Sequence, residues 1–335
     1  MEFKGKRGKG PKNHHTYAAA KTNTLEGFPT ISGLDFEKKV DIDALIKSLG
    51  ATGFQATQLA QAIDIVNQMR KDKATIFLSC TSNIITSGLR DTIRYLVKHK
   101  MIDVLVTSAG GIEEDLIKCL KPFVIGTFEA PGAVLHKEGI NRTGNVFVPN
   151  DRFVRFEDFI DPILDELYAR QKKEGVIDSA TLIHELGRRI DNEESILYWA
   201  QKNKIPVFCP AITDGSLGDL IFFQKQKHKD FQIDITGDMY KIVRLTQDAD
   251  KTGCILLGGG SPKHYVLNAQ LFRDGTEYAV YINTAQEYDG SDSGARPDEA
   301  VSWGKIKING KAVKVHAEAT LVFPLLVAAT FAKKI

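Results

Sequence analysis

The stretch from residue 283 to residue 306 concentrates side chains that could handle a positively charged amine. Between residues 287 and 299 there are five carboxylates against one arginine, namely Glu287, Asp289, Asp292, Asp298 and Glu299. Gly290, Gly294 and Pro297 favour an irregular backbone in the same segment. Such a loop could wrap a polycation, although this composition is also typical of a solvated acidic loop.

Two residues that follow the loop favour amine chemistry. Trp303 offers an aromatic face that can hold an ammonium group, and Lys305 comes two positions later. A lysine in an arbitrary sequence is usually a surface charge. An apolar site beside an indole, however, disfavours the charged form, and a neutral lysine amine forms Schiff bases with carbonyl or imine carbons. We therefore interpret Lys305 as a candidate nucleophile and expect the carboxylates to hold the charged ends of its substrate.

A histidine and two aspartates are further candidates, and each also has a structural explanation. His264 follows the glycines at 258–260, where it could transfer protons near neutral pH or be structural. Asp214 could serve only as a helix N-cap. Asp219 lies five residues later, inside the expected helix, and is harder to explain as a cap.

Two other groups of polar residues leave alternatives open. Glu113 and Glu114 follow the small residues at 108–111, where they could bind substrate or favour the positive end of a helix. His316 and Glu318 could share one side of a strand. No third ligand accompanies this last pair, so the sequence predicts no metal site.

A sheet must position these residues, because short apolar runs alternate with amphipathic stretches from about residue 41 onward. The runs are 75–79, 103–107, 205–209, 231–235, 253–257 and 278–282. This alternation predicts an α/β fold with a doubly wound, mostly parallel sheet that is covered on both faces. Residues 122–152 contain several glycines and prolines and predict a long loop or insertion.

Several predicted strands run directly into small or polar residues. These joints are 80–83, 108–111, 213–216, 258–260 and 283–285. The carboxyl ends of parallel strands meet at one edge of a sheet, where glycine turns and helix N-termini present N–H groups to phosphate oxygens. The pattern predicts a Rossmann-like crevice for a nucleotide or dinucleotide, although neither the GxGxxG fingerprint nor a P-loop is present.

Composition narrows the class of protein. The chain of 335 residues is 43% hydrophobic and 26% charged, which suits a substantial core. Its formal charge of +2 predicts no nucleic-acid partner, and no apolar run reaches the roughly 18 residues that span a membrane. The four cysteines show no paired spacing, so we expect reduced thiols and a cytoplasmic location.

The two ends of the chain differ from its body. Residues 1–25 are polar and rich in lysine and glycine, and we expect them to form a flexible basic N-terminal arm. We expect residues 26–335 to form a single dinucleotide-binding catalytic domain. Residues 321–331 are strongly apolar and predict a terminal helix in the core or at a subunit interface.

The motifs around these residues resemble the deoxyhypusine synthase family from about residue 25 to the end. They are Thr81-Ser-Asn83, Ser108-Ala-Gly-Gly-Ile-Glu-Glu-Asp115, Gly139-Ile-Asn-Arg142, Pro210-Ala-Ile-Thr-Asp-Gly-Ser-Leu-Gly-Asp219, the glycines at 258–260 with His264, and residues 279–306. The resemblance implies an NAD-dependent transferase that oxidises spermidine and passes its aminobutyl group to an enzyme lysine as an imine. It further implies transfer to a lysine of the translation initiation factor 5A precursor and reduction there by the same NADH.

By position within these motifs, the resemblance assigns roles to single residues. Lys305 matches the covalent lysine, and His264 is the best candidate for the proton acceptor. The resemblance also implies spermidine binding by Glu113, Glu114, Asp219, His264, Gly290, Ser291, Asp292, Glu299, Trp303 and Lys305. The NAD contacts that it implies are Ser82, Asn83, Thr86, Ser108, Ala109, Gly110, Glu114, Asp214, Gly259, Thr284, Ala285, Glu318 and Ala319.

Assembly and acceptor are also expectations from the resemblance. The family typically forms a homotetramer with active sites at a dimer interface, and we expect the same here. Ser108 stands where threonine is common, and Glu318-Ala319 stands where Asp-Ala is common. A homospermidine synthase that uses putrescine as acceptor would have nearly the same motifs. An inactive regulatory paralogue is the other alternative, against which the retention of Lys305 and His264 argues.

Overall fold

The computed structural model describes residues 27–333, so the expected arm at residues 1–25 lies outside the described residues. The strands of its main sheet are β1 (Thr75–Cys80), β2 (Val104–Thr107), β7 (Val207–Phe208), β9 (Thr252–Leu257), β10 (Thr276–Asn283) and β11 (Ile306–His316). They run parallel in the order β11-β10-β9-β1-β2-β7. The prediction of a mostly parallel α/β fold is confirmed.

Helices cover both faces of this sheet. They are α1 (Ile42–Thr52), α2 (Phe54–Lys71), α3 (Ser82–Thr86), α4 (Leu89–Lys98), α5 (Ala109–Leu120), α6 (Gly132–Lys137), α7 (Asp151–Glu174), α8 (Ser179–Ile190), α9 (Ile196–Asn203), α10 (Ser216–Lys227), α11 (Ile235–Asp248), α12 (Gly260–Gln270), α13 (Pro297–Ser302) and α14 (Ala319–Ala329). Successive side chains of a strand point to opposite faces. Phe77 accordingly packs in a cluster with residues of α11, α12 and α13, whereas Ile76 and Leu78 pack in a larger cluster with residues of α2, α4 and α14. The sheet is therefore doubly wound.

The shared register of the strands creates the edge that the sequence predicts. Cys80 pairs with Thr107 of β2 and with Leu257 of β9, and Leu257 pairs with Ile282 of β10. These four strands therefore end at the same level. The joints at 80–83, 108–111, 258–260 and 283–285 lie at these strand ends, so the prediction is confirmed for four of the five joints. The fifth, at 213–216, does not follow its strand directly, because residues 209–212 separate it from the end of β7.

The structure decides two sequence predictions about local structure. Residues 122–152 form an insertion and not a long loop, because β3 (Val124–Ile125), β4 (Ile140–Thr143) and β5 (Val146–Pro149) form a separate antiparallel sheet in the order β3-β5-β4, beside α6. Residues 231–235 do not join the main sheet. Their strand β8 (Ile233–Asp234) pairs only with β6 (Ile177–Asp178). Both outcomes depend on pairing between strands, which local hydrophobicity does not specify.

A buried ion pair joins α4, α5 and α9. The carboxylate of Asp115 accepts hydrogen bonds from Arg90 Nε at 2.8 Å, Ser195 Oγ at 2.6 Å and the backbone N–H of Ile196 at 2.9 Å and of Leu197 at 3.1 Å. Asp115 is 1% exposed and Arg90 is 7% exposed. Asp115 therefore accepts hydrogen bonds from the first amides of α9 and also pairs with the guanidinium of Arg90.

The four cysteines are free, and three of them are buried. Burial raises the pKa of Cys80, Cys119, Cys209 and Cys254 to about 12. Within residues 27–333, none of the helices combines the length and the apolar character that crossing a membrane requires.

Candidate functional site

Lys305 lies in the turn between α13 and β11. Its backbone N–H donates to Ala300 at 2.9 Å, and its carbonyl accepts from the N–H of Thr276 at 3.0 Å. Because Ile306 pairs with Thr276, the first residue of β10, the backbone of Lys305 is at the amino end of the sheet, opposite to the glycine-rich edge. Its side chain reaches α12, where Nζ lies 3.4 Å from His264 Nε2.

A pocket of about 400 Å³ surrounds this amine, and we call it the Lys305 pocket. Its lining includes Lys305, His264, Trp303, Glu299, Asp292 and Gly290, which are sequence-predicted site residues. Lys305 is only 7% exposed, whereas Trp303 is 67% exposed and its ring centroid lies 5.8 Å from Nζ. The lysine therefore occupies the interior of the pocket, and the indole forms its outer part.

Two polar atoms of this pocket are buried without a hydrogen-bond partner among the described residues. They are Asp292 Oδ2 and the hydroxyl of Tyr281. The nearest cation to that carboxylate is Lys263 Nζ, which is 3.6 Å from Oδ2 and also donates to the Asp292 carbonyl. Buried polar atoms are normally paired, so these two indicate where a ligand donor would bind.

Sequence reasoning missed eight of the residues that line this pocket. Asn268, Leu271 and Tyr281 are three of them. The buried Lys263 also lines the pocket and donates a hydrogen bond to the carbonyl of Asp292 in the acidic loop, residues 287–299. Helical spacing could have found the first two, since they lie four and seven residues after His264. Strand alternation could have found Tyr281, which points to the same face of the sheet as the helix α12.

The glycine-rich edge brings most of the predicted cofactor residues together. Ser82, Asn83 and Thr86 lie on α3, and Ser108 precedes α5, which begins with Ala109 and Gly110. The backbone N–H of Ser82 donates to Ser108 Oγ at 3.1 Å, and a Cβ at Gly110 would lie 2.8 Å from Ser82 Cβ. The two helix starts are therefore in direct contact.

The acidic loop continues this edge beyond β10. Lys314 Nζ donates to the carbonyls of Ala285 at 2.7 Å and Gly294 at 2.6 Å, which closes the neck of the loop. Ser293 Oγ accepts from the N–H of Gly260 at 2.9 Å. One loop thus carries Thr284 and Ala285 at the edge and residues 290–292 near the Lys305 pocket. Farther along, Glu318 caps α14 through the N–H of Thr320 at 3.0 Å, directly before Ala319.

Three predicted carboxylates lie apart from the Lys305 pocket. Asp219 lines a different cavity of about 420 Å³ with residues of α7, such as Phe153 and Phe156. Glu113 is buried and accepts from the N–H of Leu217 at 2.7 Å. Glu114 accepts from the Thr86 hydroxyl. Within one chain, these three carboxylates therefore do not line the Lys305 pocket.

Two glutamates of α5 have raised pKa values. Burial raises the pKa of Glu114 from 4.5 to about 7, against the opposing effects of the Thr86 hydroxyl and of Lys118. Burial also raises the pKa of Glu113, and lowers the pKa of Lys118 to about 8. Lys118 Nζ donates to the carbonyls of Ile85 and Ser87, so it ties α5 to the end of α3. A buried carboxyl whose pKa is shifted toward neutral pH is more frequent at functional sites than elsewhere, although structural ion pairs also shift pKa values.

Comparisons with known proteins identify the family of the chain. A sequence model of the family "Deoxyhypusine synthase" matches residues 44–330. The chain is 52% identical to the deoxyhypusine synthase of Nicotiana tabacum, over 93% of this chain and 92% of that protein. It is also 50% identical to homospermidine synthase 2 of Senecio vernalis, with the same coverage.

The fold comparison gives a consistent result. A crystal structure from Entamoeba histolytica, assigned as a deoxyhypusine synthase, superposes with a TM-score of 0.66 at 31% identity. The superposition covers 90% of this chain and 97% of that one. The sequence match at 44–330 includes all the residues of the Lys305 pocket and of the glycine-rich edge.

Proposed function

Because the chain belongs to the deoxyhypusine synthase family, we propose that it oxidises spermidine with NAD and transfers the aminobutyl group to a lysine of the translation initiation factor 5A precursor. The observation that carries this proposal is the convergence on the Lys305 pocket of a buried amine, a histidine and unpartnered polar atoms. The proposed acceptor is a translation factor precursor, which implies a cytoplasmic location.

The pocket suits a polyamine. A protonated amine could donate to the unpartnered Asp292 Oδ2, and its charge would be favoured by the nearby Glu299. Trp303 offers an aromatic face to an alkylammonium group near the opening. Lys263 is already the cation nearest to Asp292, so we infer that the substrate shares this carboxylate with an internal lysine.

The glycine-rich edge suits a dinucleotide because two helices, α3 and α5, begin there side by side. A Cβ at Gly110 would lie 2.8 Å from Ser82 Cβ, and one at Gly259 would lie 2.5 Å from Ser293 Oγ. Both positions are therefore too crowded for a side chain and require glycine, and no described side chain caps the start of α5. Ala109 and Gly110, at this uncapped start, would hold the phosphates through N–H groups. The chemistry that bound NAD would supply here is hydride acceptance during the oxidation of spermidine and hydride donation, as NADH, to the product imine.

Lys305 and His264 divide the covalent chemistry. The Lys305 amine adds to the imine carbon of oxidised spermidine, and His264 takes the proton that the new C–N bond displaces. The older C–N bond then breaks, and diaminopropane leaves after His264 returns the proton. In the second half, the acceptor lysine adds to the same carbon and Lys305 leaves as a free amine. The carbon skeleton transferred is the aminobutyl group throughout.

A second copy of the chain would complete the site. Asp219 lies apart from the Lys305 pocket, and large apolar side chains around it are exposed, including Phe222 at 56%, Phe223 at 48% and Val154 at 57%. Exposed apolar clusters of this kind favour a protein interface. We propose that two copies meet at this surface, so that Asp219 of one faces the Lys305 pocket of the other, within a homotetramer. Light scattering measures the assembly, and a monomer with full activity would contradict it.

Borohydride trapping tests the proposed chemistry. With spermidine and NAD present, reduction should fix an aminobutyl adduct on Lys305, and mass spectrometry of the digested protein should locate it. Lys311→Ala is the matched control, because this exposed lysine lies on β11, the strand that directly follows Lys305, and its loss should leave the adduct unchanged. The absence of an adduct at Lys305 in the unmodified chain would refute the active-enzyme proposal.

One relative favours a second candidate function. The 50% identity to a homospermidine synthase means that putrescine could replace the protein lysine as acceptor. An assay with spermidine and NAD that offers either putrescine or the precursor protein separates the two. Appreciable turnover with putrescine and none with the protein would exclude our first choice.

A further inference from the structure

Helix α10 begins without a cap of its own. Its N-cap residue is Gly215, which has no side chain to accept a hydrogen bond from the first turn. Asp214, the sequence-based candidate for this role, is not at the N-cap position. The acceptor comes instead from α5, where Glu113 Oε1 accepts from the N–H of Leu217 at 2.7 Å and the N–H of Ser216 also donates to this carboxylate.

The space around this contact is fitted to it. Glu113 is 4% exposed and Leu217 is fully buried. A Cβ at Gly215 would lie 2.3 Å from Glu113 Oε1, which is shorter than any normal contact. Gly215 has an extended φ of 169°, so space and not backbone conformation requires a glycine here. The buried carboxylate of Glu113 thus accepts hydrogen bonds from the first amides of α10, at the positive end of the helix dipole.

The segment that Glu113 holds carries two proposed ligand residues. Asp214 precedes Gly215 directly, and the N–H of Asp219 donates to the Gly215 carbonyl at 3.2 Å in the first turn of α10. Both aspartates are exposed. The turn itself is tight, since a Cβ at Gly218 would lie 2.1 Å from the carbonyl oxygen of Thr213. A shift of Gly215 would therefore move both aspartates together.

We propose that Glu113 is a positioning residue, which fixes the start of α10 and through it Asp214 and Asp219, and that it does not bind the polyamine. The inference rests on the proposed function for the roles of the two aspartates. Its structural half, the capping of α10 by a residue of α5, is independent of that function. Glu113 and Gly215 then act as one unit, although they are far apart in the sequence.

Four variants of the full-length protein test this unit. Glu113→Ala removes the acceptor, and Gly215→Ala displaces it while keeping the carboxylate. We expect each to raise both the Kd for NAD and the KM for spermidine by roughly tenfold, because a helix cap and two ligand residues are disturbed. Glu113→Gln keeps an acceptor oxygen and should stay within about threefold of the parent. The double variant Glu113→Ala/Gly215→Ala should be no worse than Glu113→Ala, because the added Cβ then has room.

Hydrogen exchange gives a readout that needs no activity. Amides at residues 216 and 217 should lose protection in Glu113→Ala and in Gly215→Ala, and keep it in Glu113→Gln. Gly88→Ala is the matched control, because a Cβ there meets nothing within 4 Å and its φ is an ordinary −67°. It should change neither exchange nor binding.

Two results would overturn the inference. If Gly215→Ala leaves amide protection and NAD binding unchanged, the coupled unit does not exist. If Glu113→Gln alone raises the spermidine KM as strongly as Glu113→Ala, with NAD binding intact, then Glu113 is a polyamine ligand. Failure of the proposed function looks different, since the parent protein would then show no turnover while the exchange pattern of the variants still holds.

Discussion

Replacing Glu114 by glutamine should change how the stability of the protein depends on pH. The pKa of this buried carboxyl is about 7 in the folded chain, against 4.5 for an ordinary glutamate. Below pH 4.5 the folded and unfolded chains both carry the proton. Between pH 4.5 and 7 the unfolded chain releases it while the folded chain retains it, so the free energy of unfolding falls as the pH rises.

The size of the effect follows from the shift. Each pKa unit corresponds to about 1.4 kcal/mol, so a rise from 4.5 to about 7 costs the parent chain about 3 kcal/mol by neutral pH. Glu114→Gln has no proton to lose and avoids this cost. Its advantage over the parent should therefore be near zero at pH 4.5, grow through the window and level off above pH 7.

Urea unfolding at a series of pH values between 4.5 and 7.5 measures this difference. Taking the difference between variant and parent removes the titration of all other groups. Glu138→Gln is the control, because this carboxylate is exposed, and its curve should run parallel to that of the parent. Parallel curves for Glu114→Gln as well, or a constant loss of stability at every pH, would refute the assignment of a buried, proton-retaining carboxyl.

Three further outcomes are expected. Lys305→Ala should abolish aminobutyl transfer but leave some NAD-dependent release of diaminopropane, because oxidation does not need the covalent step; equal loss of both activities would contradict this division. Asp115→Ala should lower the free energy of unfolding by about 3–5 kcal/mol, since it leaves the charge of Arg90 buried without its carboxylate. Asp115→Asn should lower it less, and urea unfolding of both variants measures the difference. Trp303→Leu should raise the spermidine KM about fivefold, as loss of a cation–π contact of about 1 kcal/mol predicts, with the Kd for NAD unchanged; an unchanged KM would exclude the indole from substrate binding.

Strand ends were predictable from the sequence because they depend on local patterns. The runs at 75–79, 253–257 and 278–282 are apolar and short, which is typical of buried strands. Because the carboxyl ends of parallel strands share one edge of a sheet, the loops that follow these runs could be predicted to lie together. Lys305 shows the limit of that rule. It precedes β11, so its backbone is at the other end of the sheet, and only the length of its side chain brings the amine to His264.

Contacts across long stretches of chain were not predictable. Glu113 reads in the sequence as one of two acidic residues at a helix start, and nothing local indicates that it caps a helix about 100 residues later. Lys263 likewise reads as a surface charge, yet it is 1% exposed beneath the acidic loop. The separation of Asp219 from the Lys305 pocket also follows only from the packing of α10 on α7.

The burial of the cysteines makes the chain suitable for site-selective labelling. Maleimides and similar reagents react with the thiolate, and a thiol whose pKa is about 12 is almost entirely protonated at neutral pH. A cysteine introduced at an exposed position such as Ile308, which is 89% exposed, would therefore accept a fluorophore or spin label well before the native thiols. Spectroscopic distances between such labels could be measured in the otherwise unaltered sequence.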